Sequence, residues 1–414
     1  MSSSNNKNRR GNPSTSSGYP ELADKLPPTQ WTQRADLAQL VGALGADNLR
    51  WVGGAVRDTL LGLAVKDIDA ATLLHPEKVM ARLKEAGIKV VPTGLDHGTV
   101  TAVLDGGPVE VTTLRKDVAT DGRRATVAFA DNWQDDAARR DFTINALYAH
   151  PETLEISDYF GGLDDLEARR VRFIGDAQER IREDHLRILR YYRFQARFGS
   201  TLDPEGEDAC AALAPMLKGL SRERVAMDLL SLLGLPDPLG TVQRMFDRGV
   251  LPVILPEVTA EGLERLAALI GTERRQDVAP DPVRRLAAML PADAKNAEQV
   301  AARLRLSNAI RRRLARLANR QRRPGDPRVL AYREGTEVAR DLLLLADEPV
   351  APLDGWEIPR FPLRGGEIVA RGVDAGPEVA RILQAVENRW LAEGFPGEDR
   401  VAVLLDEELD DRDR

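Results

Sequence analysis

The sequence predicts an α+β protein, with a mixed α/β region near the N-terminus and an all-helical remainder. From Trp31 to about Ala149, strand-like and helix-like stretches alternate. After Asp158 strand signals stop, apolar residues recur at helical spacing, and Pro/Gly-rich breakers divide the helical part. A chain of 414 residues, at about 100 to 200 residues per domain, is expected to form two to four folded units.

Residues 1–25 are rich in Ser, Asn, Gly and Pro, with too few apolar side chains to offset the entropy of ordering, and read as a disordered leader. "LRWVGG" then reads as strand and turn, "AVRDTLLGL" as helix, "KDIDAAT" as strand and "PEKVMARLKEAG" as helix. Two further strands, "TVTAVLD" and "VEVTTLR", flank the turn Asp105-Gly106-Gly107-Pro108. Downstream, "IREDHLRILRYYRFQARFG", "RERVAMDLLSLLG" and "TVQRMFDRGV" carry the helical period. Breakers fall at Leu235-Pro236-Asp237-Pro238, Ala279-Pro280-Asp281-Pro282 and Pro324-Gly325-Asp326-Pro327, and the stretch 348–366 sets off a C-terminal unit.

Composition excludes several classes. Hydrophobic residues make up 43% and charged residues 30%, with no apolar run of about 18 residues, so no membrane helix is expected. The single cysteine, Cys210, permits no internal disulfide and no apolar leader precedes the fold, which points to a reducing, cytoplasmic setting. A net charge of -7 argues against wholesale coating of nucleic acid. The distribution is uneven: ten arginines lie between Arg303 and Arg328, including Arg311, Arg312, Arg313 and Arg316, whereas the chain ends in "DEELDDRDR". Such a run is either a solvated helix face or a surface that tracks phosphates.

The chemistry concentrates in Gly53-Gly54-Ala55-Val56-Arg57-Asp58 followed by Asp67-Ile68-Asp69. A glycine pair between strand and helix lets the backbone approach a bulky anion, with N–H groups of the helix start aimed at phosphate. In an extended strand Asp67 and Asp69 face the same way, about 7 Å apart, and Ile68 faces the core. Glu110, between Val109 and Val111, offers a third carboxylate. Oxygen-only ligands suit Mg²⁺, and three carboxylates suffice for a two-ion site that activates a hydroxyl and stabilises leaving pyrophosphate. Neither a Walker pattern nor a complete Gly-x-Gly-x-x-Gly is present.

"WVGGAVRDTLLGLAVKDIDAAT" resembles the signature of the polymerase-β-like nucleotidyltransferases of the class II (bacterial-type) tRNA nucleotidyltransferase and poly(A) polymerase family. "RRDFTINALY" (139–148), "DYFGGLDDLEARRVRFIG" (158–175) and "REDHLRILRYYRFQARFG" (182–199) resemble the family's next motifs in order and spacing. The resemblance implies a nucleotidyltransferase head (26–150), a helical neck that reads the nucleotide base (151–215), a helical body (216–345) and a helical tail that binds tRNA (346–414). It implies template-independent addition of CCA to tRNA from CTP and ATP, with poly(A) synthesis or A-only addition as the alternatives. Nucleotide contacts would come from Gly53, Gly54, Arg57, Arg140, Asp141, Asn145, Asp184, Arg187 and Arg190, with Asp141 and Arg140 at the ribose.

On one helix, Asp184 and Arg187 would share a face. Asp accepts and Arg donates in a planar fork, so the pair suits the amino-donor and ring-acceptor edge common to cytosine and adenine. Uracil and guanine reverse that edge and would leave buried polar groups unpaired, at about 1 to 3 kcal/mol each. The plainer alternative is a set of helix-surface salt bridges among Glu183, Arg187 and Arg190. Asp141 would also cap a helix starting at Phe142 or Thr143. The stretch from Arg115 to Trp133 reads as a mobile loop, which in this family is associated with adding the terminal A. His97 has no second His or Cys in company and is not expected to bind metal. The arginines of 303–328 would suit recognition of duplex RNA by shape and phosphates.

Overall fold

The computed structural model describes residues 24–120, 125–320 and 325–412, and the expected leader up to residue 23 lies outside them. The chain divides into two compact units, Met1–Leu213 and Ala214–Arg414.

The first unit is built on nine strands: β1 (Leu49–Val52), β2 (Ile68–Thr72), β3 (Lys89–Gly94), β4 (Thr99–Leu104), β5 (Gly107–Thr113), β6 (Arg115–Thr120), β7 (Ala125–Phe129), β8 (Leu147–Ala149) and β9 (Ile156–Asp158). Seven of them form one sheet in the order β3-β4-β5-β2-β1-β8-β9. The β2–β5 pair is parallel and its neighbours are antiparallel. Alternation explains the facing: Ile68, Ala70, Val109 and Val111 are buried, whereas Asp69 and Glu110 between them are not. Around the sheet lie α1 (Ala35–Leu44), α2 (Gly54–Leu60), α3 (Pro76–Glu85) and α4 (Trp133–Ala138). Pro76 at the first turn of α3 has no amide that the helix needs.

Several expectations need correction. The stretch expected to be a mobile loop is the β6–β7 hairpin, its two sides joined by residues outside those described. The β-branched alternation of "RKDVAT" and "ATVAF" favours that pairing. "FTINALY" is a short 3-10 turn, Thr143–Asn145, leading into β8, and no side chain caps it, so Asp141 does not have the capping role expected of it. β9 extends the sheet to Asp158, and Lys25 pairs with Glu155 in an isolated bridge.

The first unit closes with α5 (Gly162–Glu167), α6 (Ala177–Glu183), α7 (Arg187–Phe198) and α8 (Pro204–Leu213). A Cβ at Gly162 would lie 2.4 Å from the Thr143 carbonyl oxygen, so glycine is what lets α5 press against the 3-10 turn. Asp165, fully buried, accepts from Thr143 (2.6 Å), Arg170 (2.6 Å) and Arg172 (2.8 Å), which makes much of the 158–175 motif a structural clasp.

The regular elements of the second unit's described residues are all helical. Inside it, Arg284 pairs with Glu273 and Asp341, Arg285 with Glu273, and half-buried Arg313 with Asp341 and Asp281. Toward its end, Leu363, Ile368, Ile382, Val386, Trp390, Leu404 and Leu405 form a separate apolar cluster.

Candidate active site

β2 and β5 align Asp69 opposite Glu110, and Asp67 lies one residue ahead of β2. Parallel pairing in this register puts the two strand carboxylates side by side on one face, while Ile68 and Val109 pair on the other. Burial raises the Asp69 carboxyl above the usual range, and the Glu110 and Asp67 charges push it further, against a pull downward from Arg140. The site therefore concentrates negative charge that a cation would relieve. Among the described residues no three His, Cys, Asp or Glu side chains are gathered into a ready-made ion cage, and Asp67 and Glu110 lie exposed. The exposed carboxylates Asp67 and Glu110 on either side of half-buried Asp69 are hard oxygen donors of the kind that suits a divalent cation.

Beside this face the chain makes the turn that starts α2. Gly53 has φ +65°, a conformation glycine adopts without strain. Its α-carbon looks toward Arg140, since a Cβ there would lie 3.5 Å from Arg140 Nη1. Gly53, Arg140 and Asp69, far apart in sequence, are thus brought together.

Arg140 is aimed by a buried hub. Asp136, on α4, accepts from Arg140 (3.2 Å), Arg139 (2.9 Å), the Tyr148 hydroxyl (2.7 Å) and the Arg115 amide (3.1 Å) at the root of the hairpin. Burial alone would raise the Asp136 carboxyl, but Arg140 and Arg139 overcome it and hold it at about 2. The sequence reading passed over Asp136. Its signal was the i, i+3 and i, i+4 spacing to Arg139 and Arg140.

Arg57 departs from expectation. It is 5% exposed, donates to Asp58 (2.8 Å) and Asn145, and lies over the rings of Phe198 (4.3 Å) and Phe194 (5.2 Å). Those partners turn it inward, where the nucleotide contact expected of it would have to pass through Asn145 and Asp58. Asn145 in turn donates to Asp141 (3.0 Å), which also binds the Phe142 amide (2.9 Å) and Arg190 (2.8 Å). Burial raises the Asp141 carboxyl less than Arg190 and these hydrogen bonds lower it. Arg57, Asn145, Asp141 and Arg190 therefore form one connected chain, and Arg190 is a brace to α7 within it.

Asp184 and Arg187 do not share a helix. α6 ends at Glu183, Asp184 is extended, and α7 begins at Arg187. The Asp184 side chain accepts from the Leu186 amide (3.1 Å), which competes with continuing the helix. The two residues still flank one turn, because the Arg187 amide binds the Asp184 carbonyl (3.0 Å). Glu183 (2.6 Å), the Arg180 carbonyl (2.8 Å) and the Arg139 carbonyl (3.3 Å) engage three of the five guanidinium donors of Arg187. The salt bridge weighed as a plain surface pair is a means of aiming Arg187.

In the second unit, α9 (Asn308–Leu317) carries the expected RNA-binding arginines. Arg311 and Arg312 are exposed, and Arg316 pairs with Glu334 (2.7 Å). Arg313 is held between Asp281 (3.0 Å), Glu337 (2.9 Å) and Asp341 (2.7 Å), which corrects the expectation for that residue, since its charge is spent on the fold.

The poly A polymerase head-domain model matches residues 49–172, and the model of a probable RNA and SrmB-binding site of polymerase A matches 199–261. CCA tRNA nucleotidyltransferase 1, mitochondrial, of Homo sapiens is 34% identical over 369 residues, spanning 84% of this chain and 83% of that protein. The chain belongs to the tRNA nucleotidyltransferase and poly(A) polymerase family. As a member of that family it is a nucleotidyltransferase. Another relative, the CCA-adding enzyme of Streptococcus pneumoniae (strain G54), is 45% identical over 189 residues, 45% of this chain and 46% of that one. Among solved structures, the Bacillus stearothermophilus CCA-adding enzyme in complex with CTP superposes with a TM-score of 0.75 at 26% identity, covering 92% of this chain and 100% of that one. The Thermotoga maritima CCA-adding enzyme, at 21% identity and TM-score 0.66, shares the fold. The family's enzymes generally use a divalent metal, which accords with the carboxylates here.

Proposed function

We propose that this nucleotidyltransferase adds CCA to the 3′ end of tRNA from CTP and ATP without a nucleic-acid template, using Mg²⁺. The observation that carries the reading is the in-register Asp69–Glu110 pair with Asp67 adjacent and Arg140 and Gly53 at its side. Relatives named for CCA addition span most of the chain and support it.

In this reading Asp67, Asp69 and Glu110 hold divalent cations, which when bound lower the proton affinity of the RNA 3′ hydroxyl and neutralise charge on the triphosphate. The Gly53-Gly54 turn admits the triphosphate close to the backbone. Arg140, aimed by Asp136, contacts the nucleotide beside Asp69. Asp184 and Arg187 accept from and donate to the base edge, with Glu183 fixing the Arg187 fork. The 3′ hydroxyl gives up its proton to solvent, and its oxygen bonds to the α-phosphorus as the bond to pyrophosphate breaks. Residues 26–150 serve as head, 151–215 as neck, 216–345 as body and 346–414 as tail, with Arg311 and Arg312 facing RNA phosphates. No described helix is long and apolar enough to cross a membrane, and the cytoplasm is the proposed compartment.

The deciding experiment supplies tRNA ending at the discriminator nucleotide with each NTP alone and together. Growth by three residues that stops at CCA supports the reading. Stopping at CC, adding A only to CC ends, or running on as poly(A) would each replace it. Chelation should halt transfer, and added Mg²⁺ should restore it.

A further inference from the structure

Two ion pairs tie the helix that begins at Arg187 to the catalytic half of the first unit. Near its start, Arg190 donates to Asp141. Near its end, Arg197 Nη2 donates to Asp58 Oδ2 (3.2 Å) on α2. Asp58 is shared, because its other oxygen accepts from Arg57 Nε (2.8 Å), and Arg57 reaches Asn145, the partner of Asp141. Phe198 fills the space between, with Arg57 (4.3 Å) and Arg197 (4.7 Å) over its ring. The result is a closed loop of contacts from α2 through the 3-10 turn and α7 back to α2. The Asp58 carbonyl also accepts from the Leu63 amide (2.8 Å), so the same residue pins the segment that delivers Asp67.

We infer that Asp58 and Arg197 form a strut that fixes the tilt of α7, and are positioning residues for choosing among nucleotides. This rests on the assignment of Arg187 to base reading. Tyr191 and Phe194 also pack on Phe142, and Arg187 reaches the Arg139 carbonyl, so these contacts hold the start and middle of the helix while Arg197 adds the outermost restraint on its tilt. Arg190 and Arg197 are seven residues apart, about 10 Å along the helix, and Arg187 lies about 4.5 Å beyond Arg190 on the other side. With the strut cut, a swing of about 2 Å at Arg197 about the Arg190 pivot moves Arg187 by about 1 Å. A misplacement of that size is enough to cost about a hundredfold where a fork must meet its partner.

The test compares CTP and ATP with UTP and GTP on the tRNA substrate. Arg197→Ala is the first variant: its side chain is 41% exposed, and Asp58 keeps Arg57, so no buried charge is orphaned. Discrimination against UTP and GTP should fall by about ten- to a hundredfold, mainly as tighter KM for the wrong nucleotides and weaker KM for the right ones. The kcat with saturating CTP should change less than threefold, on the order of the noise of such a split. Arg197→Lys, which keeps the charge, should restore part of the selectivity. Unchanged discrimination, or a loss shared equally by all four nucleotides, would overturn the proposal. The strut itself is read independently by thermal denaturation of Asp58→Asn, Arg197→Ala and the double variant. Non-additive losses are expected whether or not the chain transfers nucleotides, and additive losses sink the strut.

Discussion

Asp69 stands where its charge is least comfortable, half buried and facing Glu110 and Asp67, so the fold raises its proton affinity first by burial and then by repulsion. An acid whose carboxyl is raised in the folded state binds more protons folded than unfolded. Its destabilising effect therefore grows as pH rises through that raised value. Asp69→Asn should accordingly raise the melting temperature at neutral pH while lowering transfer of both CMP and AMP more than about a hundredfold. A variant with wild-type turnover would remove Asp69 from the chemistry. Asp136 is the opposite case: Arg140 and Arg139 overcome burial and hold it at about 2. A depressed carboxyl stabilises the fold above the unfolded value near 4, and that contribution is lost as pH falls toward 2. Replacing it by Asn should cost about 2 kcal/mol at neutral pH, with the gap between variant and wild type narrowing below about pH 4 in urea titrations.

At the scale of elements, legibility followed length and pattern. β1, β2, β4, β5 and α3 were readable because each pairs alternating or amphipathic apolar residues with a clear turn signal. β8 and β9, three residues each, are too short to show a period, and "FTINALY" is an apolar run that suits helix and strand equally. The β6–β7 hairpin was hidden by polarity, although Asp121-Gly122 between β-branched runs is itself a hairpin signal. The carboxylate trio was legible because like charges at strand spacing demand a reason. Asp136 and Glu183 carried a local signal in their i, i+3 and i, i+4 spacing to arginines, whereas the pairing of Asp58 with Arg197 is set by packing of α2 against α7 that no local spacing encodes. Close packing also gives the Gly-Gly of the 158–175 motif a sharp test. Gly162→Ala places a methyl 2.4 Å from the Thr143 carbonyl oxygen, so the 3-10 turn must shift. A loss of about 1 to 3 kcal/mol is expected in denaturant melts. A neutral outcome would show that α5 can back away from the turn.

For the whole molecule, the net charge of -7 says little about nucleic acid because it averages over unevenly distributed charges of both signs, many of them paired locally. The acidic last helix, Glu398–Arg412, is met by arginines: Arg371 with Asp406 (3.0 Å), Arg381 with Glu408 (3.4 Å) and Arg400 with Glu407 (3.0 Å). Such exposed pairs add little stability, but they lower the field that the chain end would otherwise present to RNA. On α9 the same residue type is divided by burial. Arg311 and Arg312 face solvent, and Arg313 is clamped by Asp341, a carboxylate only 2% exposed. Counterion release makes the two roles separable. Each phosphate contact contributes about 0.7 to 0.9 to the slope of log affinity against log salt. Arg311→Ala with Arg312→Ala should therefore flatten the slope for tRNA by about 1.5, with the melting temperature unchanged. Arg313→Ala should leave the slope alone and destabilise the fold by about 3 kcal/mol, because buried Asp341 then loses one of its two arginine partners. If Arg313→Ala flattened the slope and left stability intact, the arginine run would be a uniform RNA-binding face after all, and burial would have no say in dividing it.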